Sequence, residues 1–94
     1  MKQKYEKVYV KVNVDCDSRG YMIPKKITWS DGRTFIIDKV NDRCPASTIM
    51  KGRTGECYTI VVHGKERYLF FERANELFKS VVGRWYVERM RDLV

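Results

Sequence analysis

The first strand-like segment of this chain alternates cations with aromatic rings, a combination suited to chemistry on nucleic acids. Tyr5, Lys7, Tyr9 and Lys11 occupy every second position. Because alternate positions of a strand share one face, these four side chains are expected to point the same way. Ammonium groups can neutralise phosphates while rings stack on unpaired bases, which predicts contact with single-stranded nucleic acid. The alternative is an edge strand that lysine protects against pairing with other sheets.

A second basic group lies in the middle of the chain. Its cations are Arg43, Lys51 and Arg53, and the nearby Gly52 and Gly55 would let backbone amides approach a phosphate. The residue order of a Walker phosphate loop is absent, and solvation of a flexible loop is the alternative. We therefore predict a non-enzymatic nucleic-acid-binding surface made of Lys7, Tyr9, Lys11, Arg43, Lys51 and Arg53.

A calcium-like pattern follows the first strand. Asp15-x-Asp17-x-x-Gly20 begins like a calcium-binding loop, but Arg19 and Lys26 occupy positions where oxygen ligands belong. A turn explains the two aspartates, and we expect no metal and no cofactor.

Catalytic patterns are weaker still. His63 is the only histidine, and an inert thiol is favoured over a Cys44 nucleophile assisted by it. Asp38, Asp42 and Arg43 could support phosphodiester hydrolysis, although salt bridges that anchor a loop are favoured. No catalytic residue is assigned, and a small ribonuclease is the weaker alternative function.

Four aromatic residues support a different binding function. Trp29, Tyr68, Trp85 and Tyr86 could line a groove for a peptide or a partner strand, so a protein-interaction module is the main alternative. Trp29 is expected in the core. Tyr86 has the opposite strand parity to Trp85 and is expected to be exposed.

Composition and net charge limit these functional hypotheses. The 94 residues are 44% hydrophobic and 13% aromatic, as in an ordered globule, and we expect residues 1–94 to form one domain. A net charge of +7 favours a polyanionic partner, whereas solubility alone is the alternative.

The cysteines and the N-terminus indicate a compartment. Cys16, Cys44 and Cys57 cannot all pair within one chain and do not form C-x-x-C, as in a reduced cytoplasmic protein. Because no apolar stretch follows the basic N-terminus, neither secretion nor a membrane span is expected.

Strand periodicity and turn residues predict the elements that position these groups. Valine alternates with polar residues from Lys7 to Asp15, which predicts a half-buried strand. The next hairpin is expected to turn over Ser30-Asp31-Gly32 with glycine left-handed, pairing Ile27 with Phe35 and Thr28 with Thr34.

The second half predicts another hairpin, a helix and a last strand. A Gly64-Lys65 turn would pair Ile60 with Leu69, after a long loop over residues 41–56 that holds at most one helical turn. The apolar spacing of residues 74–82 predicts a short helix, and residues 84–89 resume strand alternation. The predicted fold is all-β, an SH3-like antiparallel barrel of five to six strands with one short helix before the last strand. An oligonucleotide/oligosaccharide-binding barrel is the rival.

A family resemblance is carried by an ordered set of aromatic, glycine and charged positions. The matching residues are Trp29-x-Asp31-Gly32-Arg33-x-Phe35-x-Ile37-Asp38-x-Val40, Asp42-Arg43, Gly55, Tyr58, Gly64-Lys65-Glu66-x-Tyr68-Leu69-Phe70 and Trp85-Tyr86-Val87-Glu88. The set resembles a family of small uncharacterised bacterial proteins, found largely in Firmicutes and sometimes near translesion-polymerase genes. The resemblance implies an SH3-like barrel and carries no activity with it. Residues 74–82 form a longer stretch than the family pattern has.

Overall fold

A computed structural model describes the backbone of residues 2–73 and 83–93 and the side chains of residues 5–73 and 83–89. The strands are β1 (Lys2–Cys16), β2 (Met22–Thr28), β3 (Thr34–Ile36), β4 (Lys39–Pro45), β5 (Glu56–Val62), β6 (Lys65–Arg73) and β7 (Gly83–Leu93). A single helical turn, α1 (Ala46–Ile49), lies between β4 and β5.

The strands form one curled antiparallel sheet. The order is β3-β2-β1-β7-β6-β5-β4. The two edge strands are consecutive in the chain and are joined by Ile37 and Asp38. The Ile37 amide donates to the Lys25 carbonyl of β2 at 2.9 Å, and the Asp38 amide donates to the Val61 carbonyl of β5 at 2.8 Å. This junction therefore connects the two ends of the sheet.

The predicted class is confirmed at the level of an all-β, barrel-like antiparallel fold, and two details need correction. The described residues form seven strands where five to six were predicted, because β4 continues to Pro45 through an irregularity between Val40 and Asp42 that breaks the alternation. The helical turn within the described residues precedes β5 and not the last strand. The helix predicted for residues 74–82 lies outside the described residues.

The inner face of the sheet carries the main core. Its buried residues include Ile27, Ile60, Leu69, Phe71 and Trp85. Three valines of β1, Val10, Val12 and Val14, pack partly buried against them. The predicted alternation of β1 is confirmed, since its valines face this core and its odd-numbered residues are exposed. Valine side chains at every second position hold β1 in this register.

The two predicted hairpins differ in outcome. The first is confirmed: Ile27 pairs with Phe35, Thr28 pairs with Thr34, and Gly32 has a φ of 90°. The second hairpin turns over His63-Gly64, both with positive φ, so that Ile60 pairs with Arg67 and not with Leu69. Two left-handed central residues give a turn whose twist matches the strands. The predicted register was wrong by two residues, which leaves every side chain on its predicted face.

A smaller cluster lies on the outer face, under α1. Ala46, Cys57, Phe70 and Tyr86 are buried there. Gly55 lets the chain return closely over β6, because a Cβ at that position would lie 2.0 Å from the Phe71 carbonyl oxygen. No helix among the described residues is long and apolar enough to cross a bilayer.

Candidate functional site

An aromatic row on the outer face brings part of the predicted surface together. The strand registers place Tyr9, Tyr86, Phe70, Cys57 and Cys44 side by side across β1, β7, β6, β5 and β4. Phe70 and Tyr86 stack with ring centroids 5.0 Å apart, and Tyr9 meets Tyr86 edge-on at 5.8 Å. Tyr86 is only 2% exposed, so the prediction that it is an exposed ring was wrong. The rings of Tyr9 and Phe70, which are distant from Tyr86 in the sequence, pack against it and help to bury it.

Glu72 of β6 binds the basic and aromatic side chains of β1. Lys7 Nζ lies 2.6 Å from Glu72 Oε2, and the Tyr9 hydroxyl donates to Glu72 Oε1 at 3.0 Å. Arg84 Nη2 completes the cluster at 3.4 Å from Glu72 Oε1. The hydrogen bond from Lys7 is the largest cause that lowers the pKa of Glu72 below its usual value, and the same bond raises the pKa of Lys7.

The rings near this carboxylate are covered by the protein's own cations. The Arg84 guanidinium lies 4.0 Å from the centroid of the Tyr9 ring, and Lys7 Nζ lies 4.7 Å from that of Tyr86. Stacking of a base on Tyr9 would require Arg84 to move away. Lys7 and Tyr9 of the predicted face of β1 therefore already have partners within the protein.

Arg53 holds the segment after α1 against the sheet. It forms an ion pair with Glu88 in which both side chains are 15% exposed, and it donates to the Tyr86 hydroxyl at 3.0 Å. Its guanidinium also lies 5.1 Å from the Phe70 ring centroid. A charge with this many partners contributes chiefly to the fold.

The remaining predicted residues lie apart from this cluster. The guanidinium of Arg43 stacks on Tyr21, 4.6 Å from its ring centroid. Lys11 and Lys51 are exposed and have no ion pair with any side chain that the structure describes. Lys7, Tyr9 and Arg53 thus meet around Tyr86, whereas Arg43, Lys11 and Lys51 do not join them.

A split between β6 and β7 is the feature that sequence reasoning missed. The two strands pair only from Phe70–Tyr86 to Arg73–Gly83. Within the described residues, Lys65–Leu69 of β6 then pairs with β5 alone, and residues 87–93 of β7 pair with β1 alone. Two strand edges therefore face each other across an opening. A β6 of nine residues before a β7 of eleven gives no hint that their pairing stops after four.

The opening forms a groove with a volume of 850 Å³ that is lined mostly by apolar atoms. On the inner side the lining includes Ile27, Trp29, Phe35, Ile60, Val62 and Val87. On the outer side it includes Tyr5, Ile49, Met50, Tyr68 and Phe70. Of the four aromatic residues considered for a groove, Trp29 and Tyr68 line this one. Trp29 was expected in the core, but it is only partly buried. Trp85 is buried in the core on the inner face of the sheet, and Tyr86 is buried in the cluster on the outer face.

Charged residues at the groove are unevenly matched. Glu88 is paired with Arg53, and Arg89 lies 2.9 Å from Glu6 through Nε and Oε1. Lys65 and Arg67 are exposed and have no ion-pair partner among the described side chains. Both lie on the inner-face side of β6, because they share the parity of Leu69. The inner rim of the groove therefore has an excess of positive charge.

The residues of the calcium-like pattern and the cysteines have structural roles. The Asp17 carboxylate accepts from the amides of Arg19 at 2.9 Å and Tyr21 at 3.0 Å, and the Tyr21 bond is the largest cause that lowers the pKa of Asp17. This is the predicted turn. Cys44 and Cys57 are cross-strand neighbours, and burial raises the pKa of Cys57 to about 12.

Comparison with protein-family models, curated proteins and solved structures finds no match to this chain.

Proposed function

We propose that this protein is a non-enzymatic interaction module that binds an extended segment of a partner protein in the groove between β6 and β7. The observation that carries the proposal is the split itself, which leaves two strand edges facing an apolar groove. An unpaired edge presents backbone N–H and C=O groups that template another strand. Apolar side walls give such a strand something to bury.

The backbone edges favour polypeptide over nucleic acid as the occupant. A peptide can satisfy both donors and acceptors along a strand edge, whereas a nucleic acid backbone offers almost only acceptors. The rings of Tyr5 and Tyr68, 57% and 50% exposed, would then cover the added strand from the outer side. Such rings give contact area at small cost in conformational entropy.

Hydrogen exchange and a groove variant test this function together. The probe is a fluorescent peptide of about eight residues that alternates valine with glutamine and carries a central tyrosine, long enough to span the open edge. Binding should slow amide exchange in residues 65–69 and 87–89. Tyr68→Ala should weaken binding by about tenfold, whereas Tyr21→Ala, which removes an exposed tyrosine outside the groove, should not.

Two outcomes would overturn the groove function. One is that the peptide leaves exchange in both strands unchanged at every concentration tested. The other is that Tyr68→Ala and Tyr21→Ala weaken binding equally, because the contact would then not lie in the groove.

Nucleic-acid binding is the second candidate, and lysines without ion pairs favour it. Lys11 and Lys26 are diagonal neighbours on the outer face of β1 and β2, and neither has an ion-pair partner among the described side chains. Their charges are free to meet phosphates. The proposed surface keeps Lys7, Tyr9, Lys11, Arg43, Lys51 and Arg53, with affinity from phosphate neutralisation.

Anisotropy with single-stranded and duplex DNA and RNA tests this candidate at about 50 mM salt. The informative variant is Lys11→Ala/Lys51→Ala, because loss of Arg53 would also disturb the fold. The matched control is Lys39→Ala/Lys65→Ala, which has the same net charge. Binding that is absent, or weakened equally by both variants, would exclude this surface.

The SH3-like classification, the resemblance to the bacterial family and a reduced cytoplasmic location are further parts of the proposal. The curled sheet and the confirmed first hairpin support the first two. The unpaired state of Cys16, Cys44 and Cys57 supports the third.

A further inference from the structure

Resting on the proposed groove function, we infer that the occupant is an acidic strand with carboxylates at alternate positions and apolar side chains between them. The juxtaposition that points to it is Lys65 and Arg67 on one rim of an apolar groove, two residues apart on an open strand edge. The pattern follows from where each side of the groove places its charge.

The positive rim selects the sign of the partner. Lys65 and Arg67 are exposed and lack ion-pair partners among the described side chains, whereas Glu88 and Arg89 are each already paired. An added carboxylate therefore meets two free cations and displaces no existing pair. A lysine-bearing segment would meet the same cations with repulsion, and like charges in contact discriminate strongly between partners.

The spacing of the two cations selects the pattern of the partner. Side chains two residues apart on a strand point to the same face, so Lys65 and Arg67 both address the inner side of an added strand. Two carboxylates at alternate positions of that strand would face them. The intervening residue points to the outer side, where Tyr68 and Met50 form an apolar wall.

Deeper in the groove the partner must become apolar on its inner side as well. Beyond Arg67 the same face of β6 continues to Leu69, which is fully buried, and the opposite strand presents Val87. A carboxylate placed there would lose its hydration without a cationic partner, at a large cost in free energy. The acidic part of the segment therefore lies at the hairpin end of β6, and an apolar part follows.

Three peptides that differ only in charge test this inference. Each is a fluorescent peptide of about eight residues with a central tyrosine, in which valine alternates with glutamate, glutamine or lysine at the end that faces Lys65. At low salt the glutamate peptide should bind about tenfold more tightly than the glutamine peptide, and the lysine peptide more weakly than both. The advantage should shrink in about 0.5 M salt, because these charges are exposed.

Paired charge variants locate the effect. Lys65→Ala/Arg67→Ala should remove the advantage of the glutamate peptide over the glutamine peptide. Lys39→Ala/Lys51→Ala, with the same net charge, should keep the advantage. If both double variants lower it equally, the effect is one of net charge and the inference is wrong.

The outcomes separate this inference from the function on which it rests. Binding of none of the peptides would overturn the groove function. Equal binding of the glutamate and glutamine peptides would overturn only the acidic pattern. Binding of oligothymidylate that Tyr68→Ala abolishes would overturn both, as would a concentration-dependent dimer in sedimentation that Tyr68→Ala dissociates, because a second copy would then occupy the groove.

Discussion

The outer face around Tyr86 and the groove between β6 and β7 are built from the same kinds of residue and differ in whether those residues have partners. Around Tyr86, Lys7 and Arg84 meet Glu72, and Arg53 meets Glu88. At the groove, tyrosines are exposed and the cations Lys65 and Arg67 have no ion pair among the described side chains. Residue type and spacing therefore locate basic aromatic surfaces, but only internal pairing shows which of them has capacity left for a partner.

The cause of the difference is strand pairing. Where β6 and β7 pair, Glu72 faces Arg84 across the strands and lies near the residues of β1. Where their pairing has ended, no facing strand supplies carboxylates to Lys65 and Arg67. A continuous sheet thus completes its own electrostatic contacts, and a split leaves them open.

Thiol reactivity gives the largest expected contrast, because Cys57 lies in the centre of the paired face. It is fully buried and its pKa is raised to about 12, so almost no thiolate exists near neutral pH. Alkylation of Cys57 by iodoacetamide near pH 8 should be about a thousandfold slower than that of the exposed Cys16. Mass spectrometry of timed digests measures the ratio. Comparable rates at the two sites would show that the outer face opens readily.

Removal of Arg53 should give the next largest effect. Arg53→Met leaves Glu88 poorly solvated and unpaired, and we expect a loss of about 2–4 kcal/mol in the free energy of unfolding. Urea denaturation measures this loss. The matched control is Lys51→Met, which changes the same kind of charge two residues away and should stay within about 0.5 kcal/mol. Similar losses of stability in both variants would contradict the stabilising role of Arg53.

Amide exchange in the free protein tests the split directly. Amides of β6 that point away from β5 should exchange about a hundredfold faster in residues 65–69 than in residues 70–73, where β7 accepts their hydrogen bonds. Exchange followed by NMR resolves the individual amides. Equal protection along the whole of β6 would mean that the strands pair throughout and that the groove is closed in solution.

The Glu72 cluster should give the smallest effect, seen only through pH. Because the pKa of Glu72 is lowered in the folded state, its contribution is present above its usual value of 4.5 and is lost as the pH falls through the folded value. Glu72→Gln should cost less than about 1 kcal/mol near pH 7, since Lys7 and Arg84 are well exposed. The difference from the parent protein should diminish as the pH falls below 4.5 and vanish once Glu72 is protonated in the folded state, as measured by urea unfolding. A difference that grows toward acid would contradict this assignment.

Local patterns predicted the fold class and the first hairpin correctly, but they did not predict the second turn or the extent of β4. The alternating valines of β1 and the Ser30-Asp31-Gly32 turn each act over a few residues, and both were confirmed. The predicted Gly64-Lys65 turn was wrong, because His63, a residue other than glycine, adopts positive φ and forms the turn with Gly64. The extent of β4 was missed because its irregularity near Asp42 interrupts the alternation that marks a strand.

The candidate sites show the same boundary between local and distant information. The sequence placed Lys7, Tyr9 and Arg53 on a basic aromatic surface, and the structure brings them together around Tyr86. Their hydrogen-bond partners Glu72, Arg84 and Glu88 are 35 to 75 residues away along the chain. No local spacing rule reaches that far.

The sequence by itself determined an all-β chain with a long amphipathic first strand, a three-residue hairpin loop and an excess of positive charge. These properties depend on side-chain periodicity, turn residues and composition, which are local or additive. The tertiary structure alone decided which cations are matched and where the sheet divides. That decision depends on which strands become neighbours and on where their pairing ends, because an ion pair or an open edge exists only between segments that the fold brings side by side.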